Sequence, residues 1–341
     1  MRIQARHVCI TLSIAILILI SANLCIGTVH IPLRNIISVL TGGTTGKESW
    51  DFIILQSRIP STLTAILAGL SLSASGLILQ TAFNNPLAGP DILGINGGAG
   101  LGVAVVMMLL GGISTGSITL GGSMSVITGA FLGAMAVMGI ILLLSARLNS
   151  PVMLLIAGIM VSYLTSAIIS LLNFFSTAEG VHSYMMWGMG NFGGVTLSQI
   201  PVYGITTIAG LSIAICLTKA LNAMLLGQYY AENLGINIKR TRTLLLISTG
   251  IMVATTTAFC GPVSFIGLAV PHIARLLLNN GNHRSLMPVC LLAGAATALL
   301  CNTISILPGN RGLIPLNAVT PAIGAPVILY VLIKGKQNIR Q

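Results

Sequence analysis

Ten apolar runs, each about as long as a bilayer is thick, follow one another along 341 residues that carry only sixteen basic and five acidic side chains. Lipid offers backbone N–H and C=O groups no partner, so a run of about 20 apolar residues crossing it must close its hydrogen bonds internally, as a helix. The runs fall at 8–28, 60–82, 92–112, 117–145, 152–173, 195–217, 241–260, 262–279, 286–306 and 316–334. They predict an all-α polytopic membrane protein of about ten transmembrane helices. No polar stretch is long enough for a separate soluble domain, so residues 1–341 read as one transmembrane domain. A hydrophobic fraction of 55% with 6% charged residues agrees, since soluble chains carry about a quarter charged.

The charges give an orientation. Twelve of the sixteen basic residues lie at the chain ends or in alternate gaps: Arg2, Arg6, Arg147, Lys219, Lys239, Arg240, Arg242, Arg275, Arg284, Lys334, Lys336 and Arg340. The other gaps hold Arg34, Lys47, Arg58 and Arg311, together with Glu48, Asp51 and Glu179. Lys and Arg collect on the cytoplasmic side, which predicts that both termini are cytoplasmic. A net charge of +11 in a soluble protein would raise the question of nucleic acid, but these charges cap apolar runs and point to anionic lipid instead. The first run follows Arg2 and Arg6 as a signal peptide would. It is longer than a signal core and has no small-residue cleavage site, so it reads as an uncleaved helix.

Other residues exclude chemistry. The six cysteines lie within or beside apolar runs with no paired spacing, as buried packing residues do, and the five histidines are scattered, which predicts no metal site and no catalysis in this chain. Carboxylates are confined to gaps and to Asp91 at the start of the third run, where an acid is expected to cap the helix. A proton-coupled carrier would be expected to place one mid-membrane; coupling to Na⁺ through carbonyls or hydroxyls stays open. Gly42 to Glu48 resembles a phosphate-binding loop, but Thr41 stands at the first glycine position and Glu48 at the Ser/Thr position, so any ATP must be bound by another chain. Gly69, Gly76, Gly94, Gly97, Gly98, Gly100 and Gly102 predict close helix packing.

Several stretches carry a resemblance. Arg58-Ile59-Pro60 is followed by Gln80-Thr81-Ala82-Phe83-Asn84-Asn85-Pro86-Leu87-Ala88-Gly89-Pro90-Asp91-Ile92-Leu93-Gly94. Further on come Trp187-Gly188-Met189-Gly190, the stretch from Gly261 to Arg275 with His283-Arg284, and Gly324-Ala325-Pro326. In this order, over nearly the whole chain, they resemble the FecCD permeases, the BtuC-like subunits of bacterial ABC importers. The resemblance implies a permease in the bacterial inner membrane, working as a dimer with a second copy or a homologue. Two cytoplasmic ATPases would bind ATP and Mg²⁺, and a periplasmic binding protein would deliver an iron-siderophore, haem or cobalamin. No cofactor would be bound by this chain.

The resemblance also assigns residues. Leu226, Gly227, Tyr229, Tyr230, Ala231, Glu232, Leu234 and Gly235 match the cytoplasmic segment that couples to the ATPase, a short helix between two glycines able to dock as a rigid knob. Arg58 matches a basic position that receives acidic side chains of the binding protein, with Arg311 as a substitute charge in the last outer loop; Asn302 and Leu313 stand there where relatives often carry acids. Snorkelling to headgroups is the other use for Arg58. Met185, Met186 and Met189 beside Trp187 are candidates for an adaptable wall or gate of the path, or for simple packing. His272 and Arg275 read as helix-end and interface residues. The alternative function is an ion-coupled secondary transporter.

Overall fold

The computed structural model describes residues 2–27, 29–109, 120–148, 150–309 and 312–339. Helix α1 is Arg2–Cys25, and the segment after it holds α2 (Leu33–Leu40) and α3 (Glu48–Ile53). A π-helical turn at Ile54–Arg58 joins α3 to α4 (Ile59–Ala82), with Pro60 in the first turn of α4, where a missing N–H is cheapest. A 3-10 turn at Pro90–Leu93 enters α5 (Ile95–Ala104), which continues into a π turn at Val105–Leu109. Next come α6 (Leu120–Arg147), α7 (Pro151–Phe175), α8 (Ala178–Gly188), α9 (Ile200–Cys216), α10 (Thr218–Met224) and α11 (Gln228–Asn233). The remaining helices are α12 (Ile238–Cys260), α13 (Ile266–Leu278), α14 (His283–Ile306) and α15 (Leu316–Ile339).

Each apolar run contains a helix, but they are unequal. Among the described residues six stretches, 5–25, 48–82, 124–147, 151–175, 238–260 and 283–306, are long and apolar enough to cross a membrane, and α9 with α10, bent by 53°, makes a seventh. The apolar helix at 266–278 is shorter. The run at 262–279 therefore does not form the full span its hydropathy predicts. Gly261 at φ 73°, ψ 178° and the proline after it keep the backbone out of helix until Phe265, leaving 13 residues of α13, or about 20 Å at 1.5 Å per residue. The third run is shortened in the same way by its 3-10 turn and by Gly94 at φ 77°.

Helix α4 is the axis of the bundle, packed by α9, α12, α13 and α14. Lipid supplies no hydrophobic drive between helices, so contact depends on how closely backbones approach. A methyl group at Gly76 would stand 1.6 Å from the Gly267 carbonyl oxygen, and one at Gly102 1.9 Å from that of Gly129, so α4–α13 and α5–α6 touch backbone to backbone.

Polar staples secure the periphery. Asn23 of α1 donates to the Leu299 carbonyl at 3.0 Å and to Thr303 Oγ1 at 2.9 Å, and accepts from Asn302 Nδ2 at 2.7 Å. Asn302 is therefore buried between α1 and α14 and not displayed in an outer loop. Arg58 is tied to the end of α1. Only 6% exposed, its guanidinium donates to the carbonyls of Leu24, Cys25 and Val29, satisfying groups that the end of α1 leaves without helical partners.

Candidate functional site

The side chains assigned to coupling gather at the end of the bundle where Arg147, Lys219, Lys239, Arg240 and Arg284 are exposed. Gly227, at φ 108°, turns the chain into α11 with a backbone that other residues rarely adopt. At the far end Gly235, at φ 81°, donates to the Glu232 carbonyl at 2.8 Å, while Ile236 donates to that of Ala231 at 3.1 Å. This is the Schellman arrangement, which ends a helix on a left-handed glycine and satisfies its last carbonyls.

Six helical residues are too few to be stable alone, so α11 depends on anchorage. Ala231 is fully buried, and Ile236 packs on the same core. Everything on the other side is open: Tyr229 is 86% exposed, Leu226 66%, Leu234 59% and Tyr230 52%, with Glu232 exposed beside them. Apolar and aromatic side chains exposed between the candidate spans call for a partner. A cleft of about 370 Å³ lies at their foot, between Tyr229 and the residues Thr81, Phe83, Asn84, Pro151 and Val152.

The knob is wired into the spans. Asn222 of α10 accepts from the His283 backbone at 2.7 Å and lies 3.0 Å from His283 Nδ1; the other ring nitrogen lies 2.8 Å from Thr81 Oγ1. Gln80 donates to the Leu268 carbonyl at 3.2 Å and accepts from Arg275, and the Pro86 carbonyl lies 2.9 Å from His272 Nε2. The C-terminal end of α4 and the turn after it are thus braced by α13, α14 and α10. His272 and Arg275 take the interface role predicted for them, and no cluster of three metal-ligating side chains occurs among the described residues.

Asp91 departs from its expected role. The cap of α5 is Gly94, without a side-chain bond, whereas the Asp91 carboxylate accepts from Asn96 and from the backbone N–H of Phe265 at the start of α13. Asn96 in turn accepts from Thr257 of α12 at 2.8 Å. Asp91 keeps one open side, but protein crowds its carboxyl on the others, and this desolvation pushes its pKa up to about 6 against the pull of its two donors.

At the opposite end the predicted gate residues meet the glycine-rich stretch. Met185, Met186 and Met189 are exposed, and Trp187 is half-buried with its ring 6.1 Å from that of Tyr184. Asn317 at the start of α15 holds this corner together. Its Nδ2 donates to the carbonyls of Gly188 at 2.9 Å and Pro262 at 2.7 Å, its Oδ1 accepts from Ser264 N at 3.2 Å, and its own N–H reaches the Met189 carbonyl at 3.1 Å. Sequence reasoning missed it, because an Asn near a helix start reads as a local cap. Arg311 lies outside the described residues.

The comparisons with known proteins fit this geometry. Residues 14–334 match the FecCD transport family. The chain belongs to that family. The vitamin B12 import system permease protein BtuC of Klebsiella pneumoniae is 34% identical over 326 residues, covering 95% of this chain and 93% of that protein. The protein of the same name from Salmonella arizonae is 34% identical over 335 residues, covering 97% and 96%. Among solved structures, an inward-facing metal-chelate type ABC transporter superposes with a TM-score of 0.84 at 28% identity, covering 96% of this chain and 99% of that one. PsaBC from Streptococcus pneumoniae, at 16% identity and a TM-score of 0.54, shares the fold alone. This FecCD protein is a BtuC-like permease of an ABC importer and a multi-pass protein of the bacterial inner membrane.

Proposed function

We propose that this chain, acting as one transmembrane domain with both termini in the cytoplasm, pairs with a second copy or a homologue to enclose a path for an iron-siderophore, haem or cobalamin. A separate pair of ATPase subunits binds ATP and Mg²⁺ and docks on the α11 knob; a periplasmic binding protein delivers the cargo. The reading rests above all on α11, a short helix fixed at both ends by glycine and presenting Leu226, Tyr229, Tyr230 and Leu234 outside the spans. Such a knob transmits force because its seat is rigid: a push on α11 reaches α10, and through Asn222 and His283 the inner ends of α14 and α4. Alternating access then means that ATP binding and hydrolysis in the partner bias two arrangements of these ends. The cargo class is supported by the vitamin B12 in the names of the relatives and the metal chelate in that of the structural neighbour.

The test is a mild-detergent pull-down of the tagged chain from its native host, with mass spectrometry of what accompanies it. A stoichiometric P-loop ATPase is expected with the intact chain. It should vanish when residues 229–237 are deleted, or with the milder pair Leu226→Ala and Tyr229→Ala, while membrane insertion persists. An ATPase that stays bound to these variants would show that α11 is not the docking element.

A further inference from the structure

We propose that α2 is an interfacial anchor: it lies along the bilayer surface at the end of α1, with Leu33, Ile37 and Leu40 sunk among phospholipid acyl chains at the headgroup boundary. Three observations carry this. First, α2 is apolar on two sides. Ile36 and Val39 face inward, forming a small core with Leu24, Ile31 and Ile54, whereas Leu33, Ile37 and Leu40, spaced i, i+4 and i+7, are 45%, 51% and 56% exposed. An outward row of this kind has no use in water.

Second, the depth is right. The core under α2 includes Leu24, in the last turn of the spanning helix α1, and Ile54, next to the segment where Arg58 clasps the end of α1. Helix α2 therefore sits level with the place where α1 leaves the hydrocarbon. It is also continuous with lipid-facing surface: α1, to which it packs, exposes Ile10, Ile14, Leu17 and Ile18 along its length.

Third, the polar residues suit headgroups. Arg34 is exposed beside Leu33, α2 itself carries no acid, and Lys47 lies 4.4 Å from the centre of the Trp50 ring in the segment that follows. Arg beside an apolar row reaches up to phosphate, and Trp prefers the interface. The occupant is thus lipid, and a second permease copy or the binding protein is the competing outcome.

The experiment places a bimane fluorophore at Ile37→Cys and, separately, Leu40→Cys in the full chain. Cys9, Cys25 and Cys216 are replaced by Ala, and the protein is reconstituted in phosphatidylethanolamine–phosphatidylglycerol vesicles. Both sites should lose more than half of their fluorescence to lipids carrying a nitroxide near the headgroup, and little to iodide in the buffer, while a probe at Glu48→Cys shows the reverse. Quenching of positions 37 and 40 by iodide would overturn the anchor, since α2 would then stand in water. Protection from both quenchers would overturn it too, assigning the row to a protein partner.

Discussion

Single residues decide how closely this bundle closes and how its corners are tied. A methyl at Gly76 would meet backbone, which cannot swing aside as a side chain can. Gly76→Ala is expected to cost at least 1–3 kcal/mol, roughly the range for overpacked cores, and to lower the melting temperature of the purified protein. Asn317→Ala would leave the Ser264 N–H and two carbonyls unmet, about 1–3 kcal/mol for each that water cannot reach, and should make the Trp187–Gly190 stretch more open to proteolysis. Asp91 gives a pH signature. Its folded pKa of about 6 lies above the ordinary 3.8, so folding favours the protonated acid; that contribution is complete below pH 3.8 and is lost as pH rises through 6. Asp91→Asn is neutral throughout, so the melting temperature of the wild type should fall relative to this variant as pH climbs over that window. Little of this was legible beforehand. The packing glycines could be picked out by count and spacing, but the burial of Arg58 and the bridging by Asn317 depend on partners 29 to 129 residues away.

At the scale of elements, hydropathy reveals where a helix must be but not where it starts. Gly261 to Ser264 is apolar enough to extend the run at 262–279, yet its backbone is not helical, and only the coordinates shorten α13 to 13 residues. The short helix between Gly227 and Gly235 was easier to read, because two glycines mark its ends, whereas its coupling role comes from the resemblance to the FecCD permeases. That geometry can be tested. Gly235→Ala forces a Cβ into φ 81°, which costs about 1–2 kcal/mol in the left-handed region. The loss should fall on α11 alone. ATPase co-purification is expected to weaken while the melting temperature of the spans changes little, since nothing crowds Gly235 and its fault is conformational.

For the whole molecule, the distribution of sixteen basic residues and the order of the motifs were enough to indicate a membrane bundle of the FecCD kind, and the family match confirms that much. What the proposal adds is that the energy comes from outside the chain. Asp91, in the turn that enters α5, has its carboxylate tied to Asn96 and to the Phe265 N–H. The deciding measurement is uptake into liposomes containing the chain, with and without its co-purified ATPase and binding protein, using labelled vitamin B12, a ferric siderophore and haem in turn. The account predicts uptake of one of these only when the partner chains and internal or external ATP are supplied together, and none under H⁺ or Na⁺ gradients alone. Accumulation by the chain by itself, driven by an ion gradient, would contradict it.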